Sequence, residues 1–290
     1  DLPYKILASI YQEKGDTNAA IITLEQGLAA LPSNYEIFVK YMKLLISDQQ
    51  YDKVISSFKK ANIREAEYDP SIWSNLGLAY DKKGNFEEAI KAYRMGLSLD
   101  DKMPGLNYNL ANAYHSYGLQ SRNPSIFSQC FEYYKKAIEL DPQDGEVAYN
   151  LGALYLQQAL SQEGQPDLEL LNQALTQLEQ AQEISPNLAE PYFTLGVAYL
   201  ALNDPVQARE AFEKSLALSR AMALHETEWR ALYGLSRLSL SGGRKLEALD
   251  LLNFTRHAFA FSGPHIFKVL IKIAGCTLVV IGTGPPFNTI

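Results

Sequence analysis

One stretch of sequence recurs along most of the chain. It is most complete from Trp73, where it reads WSNLGLAYDKKGNFEEAIKAYRMGLSLD, and it returns in altered form after Asn107, Val147 and Pro191. The opening stretch YKILASIYQEKGDTNAAIITLEQGLAALP has the same order of apolar, small and turn residues. A repeat of this length restricts the fold to stacked supersecondary units, because each unit buries its apolar face only against its neighbours.

Each copy predicts two amphipathic helices, since its large apolar residues lie three and four positions apart. Small residues occupy the places where the two helices must approach closely, and a larger side chain there would overpack the contact. On the first helix these are Ala8, Gly77, Ala111, Gly152 and Gly196; on the second they are Ala20, Ala89, Ala174, Ala208 and Ala248. Cys130 takes this place in the fourth copy, so we expect it to be buried.

Capping residues in the sequence also indicate where two helices begin. Asp204 followed by Pro205 predicts a helix N-cap with proline in the first turn. Asn85 with Glu88, three residues on, predicts a capping box at the second helix of the third copy.

The order aromatic, Leu-Gly or Leu-Ala, Tyr, Gly, Ala, aromatic resembles the tetratricopeptide repeat, a helix-turn-helix unit of about 34 residues. The third copy shows this order through Trp73, Leu76, Gly77, Tyr80, Gly84, Ala89, Tyr93 and Gly96, whereas the second and seventh copies are poorer. The resemblance implies an all-α, right-handed superhelical solenoid of about seven repeats over residues 1–262. The expected repeats are about 1–34, 35–68, 70–103, 104–144, 145–188, 189–222 and 229–262.

Two copies are longer than this pattern. The extra residues lie between Gly118 and Cys130 and between Tyr155 and Ala174, at the turn inside the fourth and fifth copies. Insertions of this kind map to one face of a repeat array and often have a role, but a longer surface loop is also cheap in free energy. Both interpretations stay open.

The repeat pattern stops at Gly263-Pro264, and residues 263–290 form an apolar tail. Residues 266–281 are slightly short of the roughly 17–25 that a membrane-spanning helix needs, yet Lys268 and Lys272 suit a membrane interface. The β-branched run suits a strand pair with a turn at Ala274-Gly275, which would pair with another chain. A tail packed on the last repeat is the third alternative. Membrane contact or self-association through this segment therefore stays open, as does a cytoplasmic, periplasmic or membrane-associated location.

Several kinds of function are disfavoured. The 33 Asp and Glu exceed the 26 Lys and Arg, and nucleic-acid binding requires clustered cations. The four histidines form no HExxH motif, the two cysteines lie far apart, and no phosphate-binding glycine loop or nucleophile motif occurs. We therefore expect no metal, no cofactor and no catalytic centre.

In tetratricopeptide repeat proteins the first helix of each pair lines a concave groove that holds peptides, so a similar groove is expected here. At the corresponding places the third to fifth copies present Asn75, Asn109 and Asn150, with Asn112 nearby. Each carboxamide both donates and accepts hydrogen bonds, so this row would hold a peptide backbone. Asparagine is also common at this place in consensus repeats, which is the structural alternative.

The same places in the fifth and sixth copies are apolar: Tyr149, Leu156, Phe193, Val197 and Leu200. Apolar side chains on a face that should be solvated indicate an interaction site or a lid formed by the chain itself. Some tetratricopeptide repeat proteins hold carboxylate tails in a clamp of Lys and Arg beside Asn in consecutive repeats. Here that clamp is incomplete, because the first copy has Lys5 but Ser9 and the second copy has Lys40.

The sequence therefore predicts a scaffold or adaptor that binds a peptide or helix of a partner protein in the concave groove. The alternative is a structural subunit of a membrane-associated or homo-oligomeric assembly, attached through the tail.

Overall fold

The computed structural model describes residues 1–61, 69–161, 165–260, 266–273 and 276–283. Its contacts divide the chain into two compact units, Asp1–Asp141 (unit 1) and Pro142–Ile290 (unit 2).

Unit 1 consists of paired helices. They are α1 (Leu2–Glu13), α2 (Thr17–Ala30), α3 (Tyr35–Ser47), α4 (Tyr51–Lys60), α5 (Pro70–Lys82), α6 (Phe86–Leu99), α7 (Pro104–Ser121) and α8 (Phe127–Leu140), with a 3-10 turn at Pro124–Ile126. Each odd-numbered helix packs on the helix that follows it, and the first helices also meet in the order α1, α3, α5, α7.

Unit 2 continues the same design. Its helices are α9 (Gly145–Leu160), α10 (Leu168–Ile184), α11 (Ala189–Ala201), α12 (Pro205–Ala221), α13 (His225–Ser241) and α14 (Lys245–Ala260). The helices pair as α9–α10, α11–α12 and α13–α14, and the first helices α9, α11 and α13 contact one another in that order. The predicted all-α fold of paired helices is confirmed for the part of the chain covered by α1–α14.

One predicted repeat start differs from the structure. Helix α13 begins at His225, ahead of the expected residue 229. The turn before α13 comes earlier because Ala223 adopts a left-handed conformation with φ of 54°. The first backbone hydrogen bond of the helix then runs from the amide of Glu228 to the carbonyl of Leu224. The second predicted repeat ends within residues 62–68, which lie outside the described residues, so its end stays a prediction.

The tail backbone forms two strands, β1 (Ile266–Ile273) and β2 (Cys276–Thr283). They pair antiparallel, with Ile266 opposite Thr283 and Ile273 opposite Cys276. This pairing agrees with the strand-pair alternative for the tail, while any role of the strands in binding another chain stays a prediction. Among the described helices, none combines the length and hydrophobicity required to cross a membrane.

The small residues expected at helix contacts are buried, and two of the glycines lie against aromatic rings. A Cβ atom on Gly77 in α5 would lie 2.5 Å from the ring of Tyr93 in α6. In unit 2, a Cβ atom on Gly196 would lie 2.5 Å from the ring of Phe212. Cys130 is fully buried, as expected for its place, and burial raises the pKa of its thiol to about 12. These positions confirm that close helix approach depends on missing side-chain volume.

The two predicted caps have different outcomes. The carboxylate of Asp204 accepts hydrogen bonds from the amides of Val206 and Gln207, which confirms the cap of α12. The prediction of a capping box at Asn85 is wrong, because the Asn85 side chain makes no cap hydrogen bond. Its backbone N–H, which Glu88 would have satisfied, donates instead to the carbonyl of Tyr80, and Glu88 pairs with Lys91 at 2.6 Å.

The carboxylate of Asp81 is expected to lower the stability of unit 1 at neutral pH. Oδ1 of Asp81 in α5 is buried without a hydrogen-bond partner among the described residues, and burial raises the pKa of this carboxyl group. A carboxyl group with a raised pKa favours the folded state only when protonated, so its contribution is lost as the pH rises through the raised pKa. We expect Asp81→Asn to add about 1 kcal/mol to the free energy of unfolding at pH 7.

This gain should shrink as the pH falls through the raised pKa of Asp81, because the wild-type carboxyl group is then protonated as well. Urea denaturation at several pH values measures it, with Asp101→Asn, a change at an exposed carboxylate, as the control. An Asp81→Asn gain that does not depend on pH would contradict the assignment to this carboxylate.

Candidate partner-binding faces

The first helices of successive pairs lie side by side and form one face in each unit. In unit 1 the relevant helices are α5 and α7, and in unit 2 they are α9, α11 and α13. The nine residues predicted to line a groove lie on four of these helices, α5, α7, α9 and α11.

In unit 1 the face contains three of the predicted asparagines. Asn75 lies on α5 and Asn109 and Asn112 on α7, and all three are half-buried. Asn112 accepts a hydrogen bond from the hydroxyl of Tyr134, so its carboxamide also joins α7 to α8. No described residue forms a hydrogen bond with the carboxamide of Asn75 or Asn109. These two side chains are therefore available to a peptide backbone.

The two clamp lysines are engaged within unit 1. The ammonium group of Lys40 donates to the carbonyl of Lys5 at 3.0 Å and to the hydroxyl of Ser9. Lys5 itself pairs with Asp1 at 3.0 Å and with Glu36. The charge of Lys5 thus already has carboxylate partners, whereas the two partners of Lys40 are neutral oxygen atoms.

In unit 2, Tyr149 and Asn150 of α9 are half-buried. Tyr149 packs against buried Leu178, Leu195 and Ala211. Burial raises the pKa of the Tyr149 phenol, and a hydrogen bond with Thr194 of α11 and the charge of Arg230 in α13 partly oppose that rise. Tyr149 therefore links the three first helices of the unit.

Phe193, Val197 and Leu200 of α11 form the apolar part of this face. They are half-buried and pack against a cluster that includes Phe212 and Leu235. The ring of Phe193 lies 5.7 Å from that of Phe212, measured between centroids. One side of each residue thus supports the core, and the other side remains accessible.

The structure corrects the predicted position of Leu156. It was predicted to face the groove, but its side chain is completely buried. Leu154 and Tyr155 are buried as well, so three consecutive residues of α9 have no solvated side. A helix covered on several sides does not expose every residue at groove spacing, and Leu156 is part of the core.

The face also contains residues that the sequence reasoning missed. The hydroxyl of Thr227 in α13 donates to the carboxylate of Glu190 in α11 at 3.2 Å. The guanidinium of Arg230 lies 6.0 Å from the ring centroid of Phe193, within the range of a cation–π contact. Arg230 and Arg237 are seven residues apart on α13, with Tyr233 between them. Applying the groove spacing to the poorly matching seventh copy would have found all three.

Arg237 and Tyr233 are chemically unusual members of this face. Burial lowers the pKa of the Arg237 guanidinium, and the phenol of Tyr233 opposes that change. Burial raises the pKa of Tyr233, and the nearby Arg237 charge opposes it. Both side chains are half-buried, so the cation of Arg237 has lost part of its water shell.

The described side chains contain no group of three or more His, Cys, Asp or Glu residues arranged to hold a metal ion. The face of α9, α11 and α13 contains apolar surface, aromatic rings, one amide and guanidinium groups. Such groups bind protein segments by burial and hydrogen bonding.

Comparison with known proteins agrees with this architecture. Family models described as "Tetratricopeptide repeat" match residues 4–34, 70–103, 133–183 and 189–221. The chain is 24% identical over 262 residues to the BBSome complex member BBS4 of Bos taurus, covering 88% of this chain and 46% of that protein. It is 30% identical over 146 residues to the type IV pilus assembly protein PilF of Pseudomonas aeruginosa, covering 50% and 52%. The chain thus spans about half the length of these two relatives.

A shorter relative is covered more fully. The photosystem I assembly protein Ycf3 of Rippkaea orientalis is 28% identical over 139 residues, which is 42% of this chain and 79% of that protein.

Solved structures show the same fold. The C-terminal part of a TPR repeat-containing protein from Cytophaga hutchinsonii superposes with a TM-score of 0.63 at 15% identity, covering 89% of this chain and 96% of that one. YrrB, described as a TPR protein with an unusual peptide-binding site, gives 0.52 at 19% identity, covering 71% and 97%. At these identities the likeness concerns the fold alone.

Proposed function

Because this chain belongs to the tetratricopeptide repeat family, we propose that it is a non-catalytic scaffold that binds a peptide or helix of a partner protein. The binding surface is the face of α9, α11 and α13, which corresponds to the concave groove expected from the family. The names of the relatives support this class of function, since PilF and Ycf3 are both described as assembly proteins and BBS4 as a complex member.

The observation that carries the proposal is the half-burial of Phe193 and Val197. Their inner sides pack on the Phe212 cluster and hold them in place, while their outer sides stay accessible. Apolar groups fixed in this way lose little conformational entropy when a partner covers them. A helix would place residues three, four and seven apart against such a surface.

The asparagines of unit 1 are proposed as a second contact. Asn75 and Asn109 have carboxamides without a hydrogen bond to any described residue, and an extended peptide backbone matches such groups without requiring particular side chains.

The proposal predicts that a charged side chain at Val197 blocks binding. Val197→Arg places a guanidinium in the apolar part of the face, and a partner would have to bury it without a counter-charge. Retention of the native partner in affinity capture should fall about tenfold or more, equivalent to roughly 1.4 kcal/mol. Circular dichroism establishes first that the variant is folded.

The matched control is Val206→Arg. Val206 lies on the second helix α12 and is 72% exposed, so the same change there should leave capture unchanged. Equal capture by both folded variants and the wild type would refute binding at this face. Equal loss in both would indicate a general charge effect instead.

A further inference from the structure

Arg237 of α13 differs from the other arginines of unit 2. Arg209 pairs with Glu247 at 3.0 Å, Arg220 with Glu228 at 2.9 Å, Arg230 with Glu226 at 2.7 Å and Arg244 with Glu247 at 2.9 Å. Among the described residues, no carboxylate lies within ion-pair distance of Arg237. Among the unit 2 arginines with described side chains, Arg237 is thus the one that forms no ion pair with a described carboxylate.

After Asp250 the sequence contains no Asp or Glu, so neither the end of α14 nor the tail supplies an acidic side chain. Among the described residues, the phenol of Tyr233 interacts electrostatically with Arg237.

This arrangement is costly for the isolated protein. Arg237 is half-buried, and a partly desolvated cation without a counter-charge destabilises the folded state. A guanidinium is never deprotonated near neutral pH, so the charge persists. The cost is recovered when an anion binds, and the planar guanidinium matches a carboxylate with two parallel hydrogen bonds.

The position of Arg237 connects it to the face described above. Residues three, four and seven apart share one side of a helix, so Arg230, Tyr233 and Arg237 form a single stripe on α13. Arg230 in this stripe lies over the ring of Phe193 in α11. Arg237 is two turns further along the same stripe and is the chain neighbour of Leu238, which belongs to the cluster that Val197 and Leu200 pack against.

We propose that Arg237 binds the side-chain carboxylate of an Asp or Glu in the partner segment that docks on α9, α11 and α13. The segment places an apolar side chain against Phe193 and Val197 and its carboxylate at Arg237, with the hydroxyl of Tyr233 as a second donor. The proposal rests on the function proposed above and specifies the chemistry of the partner: an apolar segment with one acidic residue at a fixed distance.

The test selects peptides with the full-length chain. A phage library of random linear peptides is enriched on the wild-type protein, and the selected sequences are synthesised with amidated C-termini, so that a carboxylate comes only from side chains. Their affinities are then measured by fluorescence anisotropy for the wild type, Arg237→Gln and the control Arg209→Gln. Arg209 lies on the second helix α12, pairs with Glu247 of α14 and donates to the hydroxyl of Ser239, so the control removes an arginine whose donors already have partners.

The expected result has three parts. The selected peptides share an Asp or Glu at a fixed distance from an apolar residue. Arg237→Gln weakens their binding about tenfold or more, which corresponds to loss of a charge-assisted hydrogen-bonded pair, whereas Arg209→Gln does not. Replacing the shared acid with Gln or Asn weakens binding to the wild type but has no further effect on Arg237→Gln.

The outcomes separate the two proposals. If Val197→Arg abolishes binding while Arg237→Gln does not, the face is correct and the carboxylate assignment is wrong. If binding depends on neither residue, both proposals are overturned. Loss of binding on amidation, with no shared acidic side chain, would assign the anion to a peptide C-terminus and also overturn the present form of the inference.

Stability provides a second readout that requires no ligand. Arg237→Met keeps the length and apolar stem of the side chain and removes the charge, so its thermal midpoint should lie above that of the wild type. A lower midpoint would mean that Arg237 stabilises the fold through a partner in the chain, which would contradict the inference.

Discussion

Replacement of Phe212 with alanine is expected to lower the free energy of unfolding by about 3–5 kcal/mol. The Phe212 ring is 1% exposed and lies between two glycines of neighbouring first helices, Gly196 of α11 and Gly234 of α13. Cβ atoms built on these glycines would approach the ring to 2.5 and 2.7 Å. Because neither glycine has a side chain that could move into the space, the cavity left by alanine stays open, and large-to-small changes are most costly where the site cannot collapse.

Urea denaturation followed by circular dichroism measures this loss. The control is Leu246→Ala in the same unit, since Leu246 is 80% exposed and its truncation should change stability by less than about 0.5 kcal/mol. Amide hydrogen exchange should show the loss first in α11, α12 and α13, because helical repeats are stabilised by their nearest neighbours. A cost for Phe212→Ala near that of the control would show that the helices close over the cavity.

Gly77→Ala is expected to destabilise unit 1 even though alanine favours helices. The new Cβ would lie 2.5 Å from two ring carbons of Tyr93, which is 1% exposed and fixed by its surroundings. Overpacking of this kind costs about 1–3 kcal/mol, more than the roughly 1 kcal/mol that a helix gains when alanine replaces glycine. The net effect should be a clear loss in the free energy of unfolding.

Gly105→Ala provides the matched control with the opposite sign. A Cβ at Gly105 in α7 meets no atom within 4 Å, so the helix gain should appear alone, as a rise of up to about 1 kcal/mol. Combining Gly77→Ala with Tyr93→Leu should recover part of the loss if the ring is the obstacle. A Gly77→Ala variant as stable as Gly105→Ala would show that the helices separate without cost.

Helix spacing alone does not determine which residues at groove positions are exposed. Spacing assigns Leu200 and Leu156 equivalent places on their helices, yet Leu200 is half-buried and Leu156 fully buried. The difference comes from the number of neighbours around α9 and α11, which the repeat pattern does not contain. The groove spacing includes Arg237 only when it is extended to the seventh copy, whose match to the repeat is poorer.

The sequence by itself determined the paired-helix fold and the places where small residues permit close contact. These are local properties, because a helix is recognised from apolar residues three and four apart and a turn from one glycine or proline. The tertiary structure alone decided which ring fills the space beside each glycine, which groove residue is covered and which arginine lacks a carboxylate. Those outcomes depend on contacts between helices that are distant in the chain, as Phe212 between Gly196 and Gly234 illustrates. Burial and charge pairing depend on these contacts between helices, so the residue periodicity of a single helix cannot predict them.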